Sequence, residues 1–291
     1  MKGSPMMISK FLFLAATVAC PIGLACSTDA SAQDANGVVR IGVLTDMTGF
    51  LSDIAGPGSI VAVQMAVSDF GGKVLGKSIE VVSADNANKP DVAVNISRNW
   101  FDTQNVNMII DLGNSATGLA SVKMAAQKNR IAIAVAPGTS RITNEECTPT
   151  SIHYAYDTYA LARGTAKTLV GMGLDSWYFV TIDFAGGHSI EKEASEVVRA
   201  GGGKVLGSAR HPTDTSDFSS YVLQAQASKA KVVGFATAGQ AAVNAIKTAH
   251  EFGLAQGGQT LAGLYFFITD VHSLGLEIAQ DMIVTTAFTG I

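Results

Sequence analysis

Two short turns hold most of the chemistry this sequence can offer. Gly113-Asn114-Ser115-Ala116-Thr117 and Gly138-Thr139-Ser140 each follow an apolar run and combine small side chains with hydroxyls. Such turns expose main-chain N–H groups, and where one opens a helix the aligned peptide dipoles favour negative charge, so two together can grip a carboxylate. Ser, Thr and Asn at such positions also act as helix N-caps, the competing role here. A third polar stretch, Thr45 to Asp53, brings Ser52 and Asp53 to the end of the first apolar run. Aspartate recurs at the ends of these runs, at Asp46, Asp85, Asp111, Asp157, Asp183 and Asp270. Because aspartate favours turns and caps, most of these are expected to be structural.

Other chemistries fare worse. The histidines at 153, 188, 211, 250 and 272 are scattered, so no zinc site is expected. There is no Walker sequence. Gly56-Pro57-Gly58-Ser59 has proline between its glycines and no third glycine, which makes a poor dinucleotide loop. Gly113 to Gly118 resembles a nucleophile elbow, but its second glycine arrives one residue late. With no cofactor motif and no nucleophile, base and metal set, the chain is not expected to be an enzyme.

Positioning these turns needs a folded core, and 291 residues, 47% hydrophobic and 15% charged, can supply one. A net charge of -4 lacks the basic footprint of a nucleic-acid binder. At the start, Lys2 and Lys10 precede an apolar stretch from Phe11 to Ala25 and then Ala30-Ser31-Ala32, the order of a secretory signal peptide over residues 1–32. A membrane anchor is the competing reading, but Pro21 and Gly23 break the stretch; lipid attachment at Cys26 is disfavoured by Gly23-Leu24-Ala25. Removal of the signal takes Cys20 and Cys26 with it and leaves Cys147 alone, unable to form an internal bridge.

From residue 39 onward, short β-rich runs alternate with amphipathic ones, the pattern of βαβ units around a mostly parallel sheet. Strands are expected at Val39 to Leu44, Ile79 to Ala84, Val106 to Leu112, Ile131 to Ala136 and Ile152 to Tyr156. A second series follows at Trp177 to Ile182, Lys204 to Ala209, Val232 to Ala236, Ala262 to Ile268 and Met282 to Ala287. Continuous apolar runs such as Ile131 to Val135 suit parallel strands buried on both faces. Two series imply two α/β lobes, an N-terminal one over 38–157 and a C-terminal one over 158–284, with a return crossover beginning at 285–291. A strand so close to the last residue suggests a shortened chain.

Taken together, several segments resemble a known family: Val39 to Gly49 (VRIGVLTDMTG), Asp53 to Gly58, Gly113 to Ala116, Gly138 to Ser140, His153 to Tyr159 and Ile268 to His272. In order and spacing they are similar to the periplasmic substrate-binding proteins of the branched-chain amino acid (Leu/Ile/Val-binding) type. The resemblance implies a type I periplasmic binding protein fold, with two Rossmann-like lobes that close over a ligand like a flytrap. It also implies export to the periplasm, an ABC permease partner in the inner membrane, no cofactor and a monomeric state. Full-length members continue for roughly another hundred residues. The ligand carboxylate would fall on Asn114, Ser115, Ala116, Gly138, Thr139 and Ser140, and Phe184 of the other lobe would close on it, although relatives often carry an aromatic where this chain has Gly186. Amino-acid binders of the family place an acidic group just after the strand that here ends at Ala236, but Thr237-Ala238-Gly239-Gln240 has none. A buried ammonium without a counter-charge costs several kcal/mol, so aromatic carboxylates such as benzoate or phenylpropanoid derivatives are the preferred ligand class unless Asp270 or Asp157 substitutes. Tyr156 and Tyr159 would meet an aryl ring or simply pack at the lobe junction, and Asp270 or His272 could hydrogen-bond a ring hydroxyl. A branched-chain amino acid binder, a sensory ligand-binding domain and a secreted α/β enzyme remain as alternatives.

Overall fold

The computed structural model describes residues 37–154, 156–280 and 282–285. The expected signal peptide and the segment from residue 286 lie outside the described residues, as do Cys20 and Cys26. The first lobe runs β1 (Val38–Thr45), α1 (Pro57–Asp69), β2 (Lys73–Val74), β3 (Lys77–Asp85), α2 (Pro90–Thr103), β4 (Val106–Asp111), α3 (Ser115–Gln127), β5 (Ile131–Ala134) and β6 (Ser151–His153), with a 3-10 turn at Ser140–Thr143. The second runs α4 (Thr158–Gly171), β7 (Ser176–Ile182), α5 (Ala185–Ala200), β8 (Lys204–His211), α6 (Ser219–Ala227), β9 (Val232–Ala236), α7 (Gly239–Glu251), β10 (Thr260–Gly263), α8 (Ile268–Leu274), α9 (Leu276–Ala279) and β11 (Met282–Val284). No described helix is long and apolar enough to cross a membrane.

Each lobe is built on its own parallel sheet, ordered β2-β3-β1-β4-β5-β6 in the first and β11-β10-β9-β7-β8 in the second; only the short β2 pairs antiparallel. Without β2, both lobes repeat one winding: the chain steps outward from its first strand, then crosses back to the other side. The reversal opens a crevice between β1 and β4 and another between β7 and β9, where α/β sheets bind ligands.

Local chemistry explains the helix starts. Proline opens α1 and α2, where its missing N–H costs nothing, and side chains cap α3 and α4. In the second lobe, α4 and α5 pack Leu161, Leu169, Ile190 and Val198 against Trp177 and Phe179, while α6 and α7 pack Val222, Val243 and Ile246 on the opposite face against Val180 and Phe235. In the first, α2 and α3 bury Trp100, Phe101, Val122 and Met124 against Leu44, Ile109 and Ala132.

One expected element is corrected. The strand over Ala262 to Ile268 ends at Gly263, and Ile268 instead begins α8. The aromatic run between them reads as strand because β-propensity records a preference for burial on a packed surface. Here Leu264, Tyr265 and Phe266 are buried by turning across the end of the sheet, anchored by the Leu264 amide on the Phe235 carbonyl at 3.1 Å.

Candidate functional site

The loops at the carboxyl ends of both sheets meet. From the first lobe, the β1–α1 loop sends Phe50 and Leu51 into the second; Leu51 is buried in that lobe's core and the Phe50 ring meets Phe184 edge-on at 5.5 Å. Gly239, at the start of α7, lies so close that a β-carbon would stand 2.3 Å from the Phe50 carbonyl, and its φ of +59° further requires glycine. Across the same junction, Thr139 Oγ1 lies 3.1 Å from Ser189 Oγ, and the Ser140 hydroxyl donates to Glu193.

Most of the expected site residues gather here, with their polar atoms already engaged. Ser115, fully buried, accepts the Thr139 amide at 3.2 Å, so the two hydroxyl turns touch as their adjacent strands require. The Gly138 amide faces the Tyr265 hydroxyl, and the Gly138 carbonyl accepts from Thr158 at 2.6 Å. Asn114 is a cap: its Oδ1 accepts the amides of Ala116 at 2.8 Å and Thr117 at 3.0 Å, which also commits Ala116. Ser52 sits in the β1–α1 loop with its amide on the Gly49 carbonyl, and Asp53 is exposed beside it. Tyr159 stands apart, half-exposed on α4 beneath the Arg163 guanidinium at 4.7 Å, and borders a surface cavity between α4 and α5.

Phe184 belongs to a group of rings that also includes Phe50, Tyr156, Tyr265 and Phe267, with neighbouring centroids 5.1 to 6.4 Å apart. A side chain at Gly186 would strike the Phe184 ring at 2.7 Å and approach Ser115 Oγ at 3.0 Å. The Phe184 ring thus occupies the space that a side chain at 186 would take. Phe50, Tyr265 and Phe267 went unread in the sequence, the last two because they were absorbed into an overlong strand. Burial pushes the Tyr265 hydroxyl up to about 12, so it stays protonated.

The acidic strand ends are mostly organisers of turns. Asp46 accepts the amides of Gly49 at 2.7 Å and Leu51 at 2.9 Å, together with the Asn88 side chain. Asp85 holds Met47, Thr48 and Ala87. Asp157 caps α4, and Asp183 meets His188 at 2.7 Å. Asp270 caps α8 by accepting the Phe267 amide at 2.8 Å; burial pushes it up to about 6, against that amide and with help from the charge of Asp53. Of the segment Thr237 to Gln240, where amino-acid binders were expected to carry an acid, Thr237 pairs its hydroxyl with the buried His211 at 3.0 Å. Among the described residues, no group of His, Cys, Asp or Glu is placed to hold a metal.

Beside the rings, a cavity of about 220 Å³ opens between the lobes, bordered by Asp53, Ser59 and Asp111 on one side and Tyr156, Phe267 and Thr269 on the other. Two similar lobes meeting at their strand ends around such a cavity define a two-lobed α/β binding protein of type I architecture. Residues 38–290 match the family described as periplasmic binding protein. The chain belongs to that family, which is one of solute-binding proteins rather than an enzyme class.

Solved structures agree. A periplasmic binding protein from Burkholderia mallei is 49% identical, with a TM-score of 0.83 over 87% of this chain and 67% of that one. A branched chain amino acid ABC transporter periplasmic ligand-binding protein from Burkholderia xenovorans LB400 is 38% identical, with a TM-score of 0.71 over 84% of this chain and 65% of that one. A solute binding protein of an ABC transporter from Rhodopseudomonas palustris BisB5, in complex with 3,4-dihydroxy benzoic acid, is 25% identical, with a TM-score of 0.70 over 78% of this chain and 62% of that one. The chain thus spans about two thirds of the length of these structures. No curated protein matches it.

Proposed function

We propose that this chain is the ligand-capturing component of an ABC importer, acting in the periplasm, and that it takes a small aromatic carboxylate between its lobes. The observation that carries the reading is the meeting of two unlike surfaces: hydroxyl turns at Ser115 and Thr139 from the first lobe, and the rings of Phe184, Tyr265 and Phe267 from the second. A carboxylate suits the former and a flat apolar body the latter. The dihydroxybenzoate in the Rhodopseudomonas relative and the signal-like N-terminal sequence support the ligand class and the compartment.

The mechanism is selection of a closed state and needs no covalent step. In the open form, the anion docks on the first lobe, displacing internal pairings such as Thr139 to Ser115. The second lobe then closes, adding ring contacts that only the closed form makes, and so shifts the population toward it. An inner-membrane permease would read that closed form.

A branched-chain amino acid is the second reading, favoured by the Burkholderia xenovorans relative. A thermal-shift screen of the full chain separates the two. A rise in melting temperature with benzoate or 4-hydroxybenzoate and none with leucine is expected, whereas the reverse pattern would replace the aromatic reading.

A further inference from the structure

Every strand-end aspartate but one has a local hydrogen-bond partner, and Asp111 is the exception. It is only 2% exposed, yet neither carboxylate oxygen makes a hydrogen bond to any described residue. The hydroxyls of Thr45 and Ser59 and the Ala136 amide stand near enough to favour its charged form without well-aligned bonds. Burial outweighs them and pushes the carboxyl up to about 6. The backbone, in contrast, is fixed: the Asp111 carbonyl accepts the amides of Val135 at 3.2 Å and Ala136 at 3.3 Å. Folding therefore holds an unpartnered acceptor in place, a costly arrangement that calls for a partner from outside the fold.

The direction in which that partner lies is set by the cavity. Asp111 ends β4 at the crevice between β1 and β4, and its side chain borders the interlobe cavity together with Tyr156 and Phe267. Asp53 borders the same cavity, and its charge reaches Asp270. This end repels a carboxylate and suits an N–H or O–H donor. Ala136 also lines the cavity, and the chain runs on from it to the hydroxyl turn at Thr139.

We infer that Asp111 is a specificity residue, the acceptor for a hydrogen-bond donor, hydroxyl or ammonium, carried by the ligand at the end away from its carboxylate. The inference rests on the reading of the cleft as a carboxylate site. Sites built to bond a donor discriminate strongly against analogues that lack it, because the acceptor is left buried and unpaired.

Shape-matched pairs of acids test this on the full chain by calorimetry: 4-hydroxybenzoate against benzoate, and 4-(aminomethyl)benzoate against 4-ethylbenzoate. The donor-bearing member of one pair is expected to bind about tenfold more tightly or better, and Asp111→Leu to bring that ratio close to one. Asp111→Asn keeps an acceptor oxygen without the charge, so a preference for hydroxyl survives in part, whereas a preference for ammonium is lost. Melting temperatures of both variants are expected at or above that of the parent chain; a clear fall would make Asp111 a structural residue and overturn the inference. Equal affinity within both pairs, or an unchanged ratio in Asp111→Leu, would also overturn it. If no acid of any kind binds, the carboxylate reading fails first and this inference with it.

Discussion

In the second lobe, hydrophobic clusters lie on both faces of the sheet, under α4 and α5 on one side and α6 and α7 on the other. The first lobe buries one cluster, under α2 and α3. Among the described residues, its other face carries α1, which has no buried residue, over an apolar groove lined by Ile41, Val67, Phe70, Ile79 and Met108. The two lobes also bring different chemistry to the cleft. The first lobe presents amides, hydroxyls and an unpartnered carboxylate; the second presents the rings of Phe184, Tyr265 and Phe267. Identical winding therefore supports different chemistry on the two sides of the cleft.

The largest expected effect tests the packing side of that contrast. Trp177→Ala removes a fully buried indole between α4, α5 and β7 and should cost about 3–5 kcal/mol in denaturant unfolding. Met65→Ala, on the exposed face of α1, should change stability by no more than about 0.5 kcal/mol. Comparable losses at the two sites would mean that α1 is covered in solution and that the contrast is false.

Next in size is a charge effect confined to the first lobe. Asp111 has a folded-state value of about 6, above its ordinary 3.8, so the folded chain holds a proton more tightly than the unfolded one between these values. The resulting penalty is absent near pH 4, grows as pH rises through 6, and is fully present at pH 7, where it amounts to at most roughly 3 kcal/mol. Asp111→Asn should therefore raise stability at pH 7 and lose that advantage near pH 4. Asp183→Asn in the second lobe, where the carboxylate pairs with His188 at the surface, should show no such gain. An advantage of Asp111→Asn that persists unchanged at pH 4 would contradict the assignment.

The smallest effect concerns the helix caps, where the lobes should agree in stability and differ in function. Asn114→Ala and Asp157→Ala each remove a cap, worth about 1 kcal/mol. Only Asn114 also ties α3 to Asn88 and so to the β1–α1 loop, through a 3.0 Å bond, and only its loss should weaken ligand binding measurably.

Much of this was legible in the sequence. The alternation of apolar runs reported two parallel sheets because strands buried on both faces leave an uninterrupted apolar signature, as in Val232–Ala236, where every residue is buried. The hydroxyl turns were legible because they follow such runs directly. Asp111 was visible as a strand-end aspartate but indistinguishable from Asp46 or Asp85, since only the fold decides which carboxylate finds amides nearby. The rings at Tyr265 and Phe267 were hidden by their own β-propensity, and Tyr159 could not be placed from sequence because an aromatic near a crossover can face either the cleft or solvent.

The central claim, that an acid is held between a polar lobe and an aromatic one, is tested most directly by calorimetric titration of the parent chain and Phe184→Ala with 4-hydroxybenzoate. The account predicts one site per chain, a negative heat-capacity change from ring burial, and an affinity about tenfold or more weaker in the variant, equivalent to about 1.4 kcal/mol. Absence of binding heat with 4-hydroxybenzoate, benzoate and leucine alike, or an affinity untouched by Phe184→Ala, would contradict it.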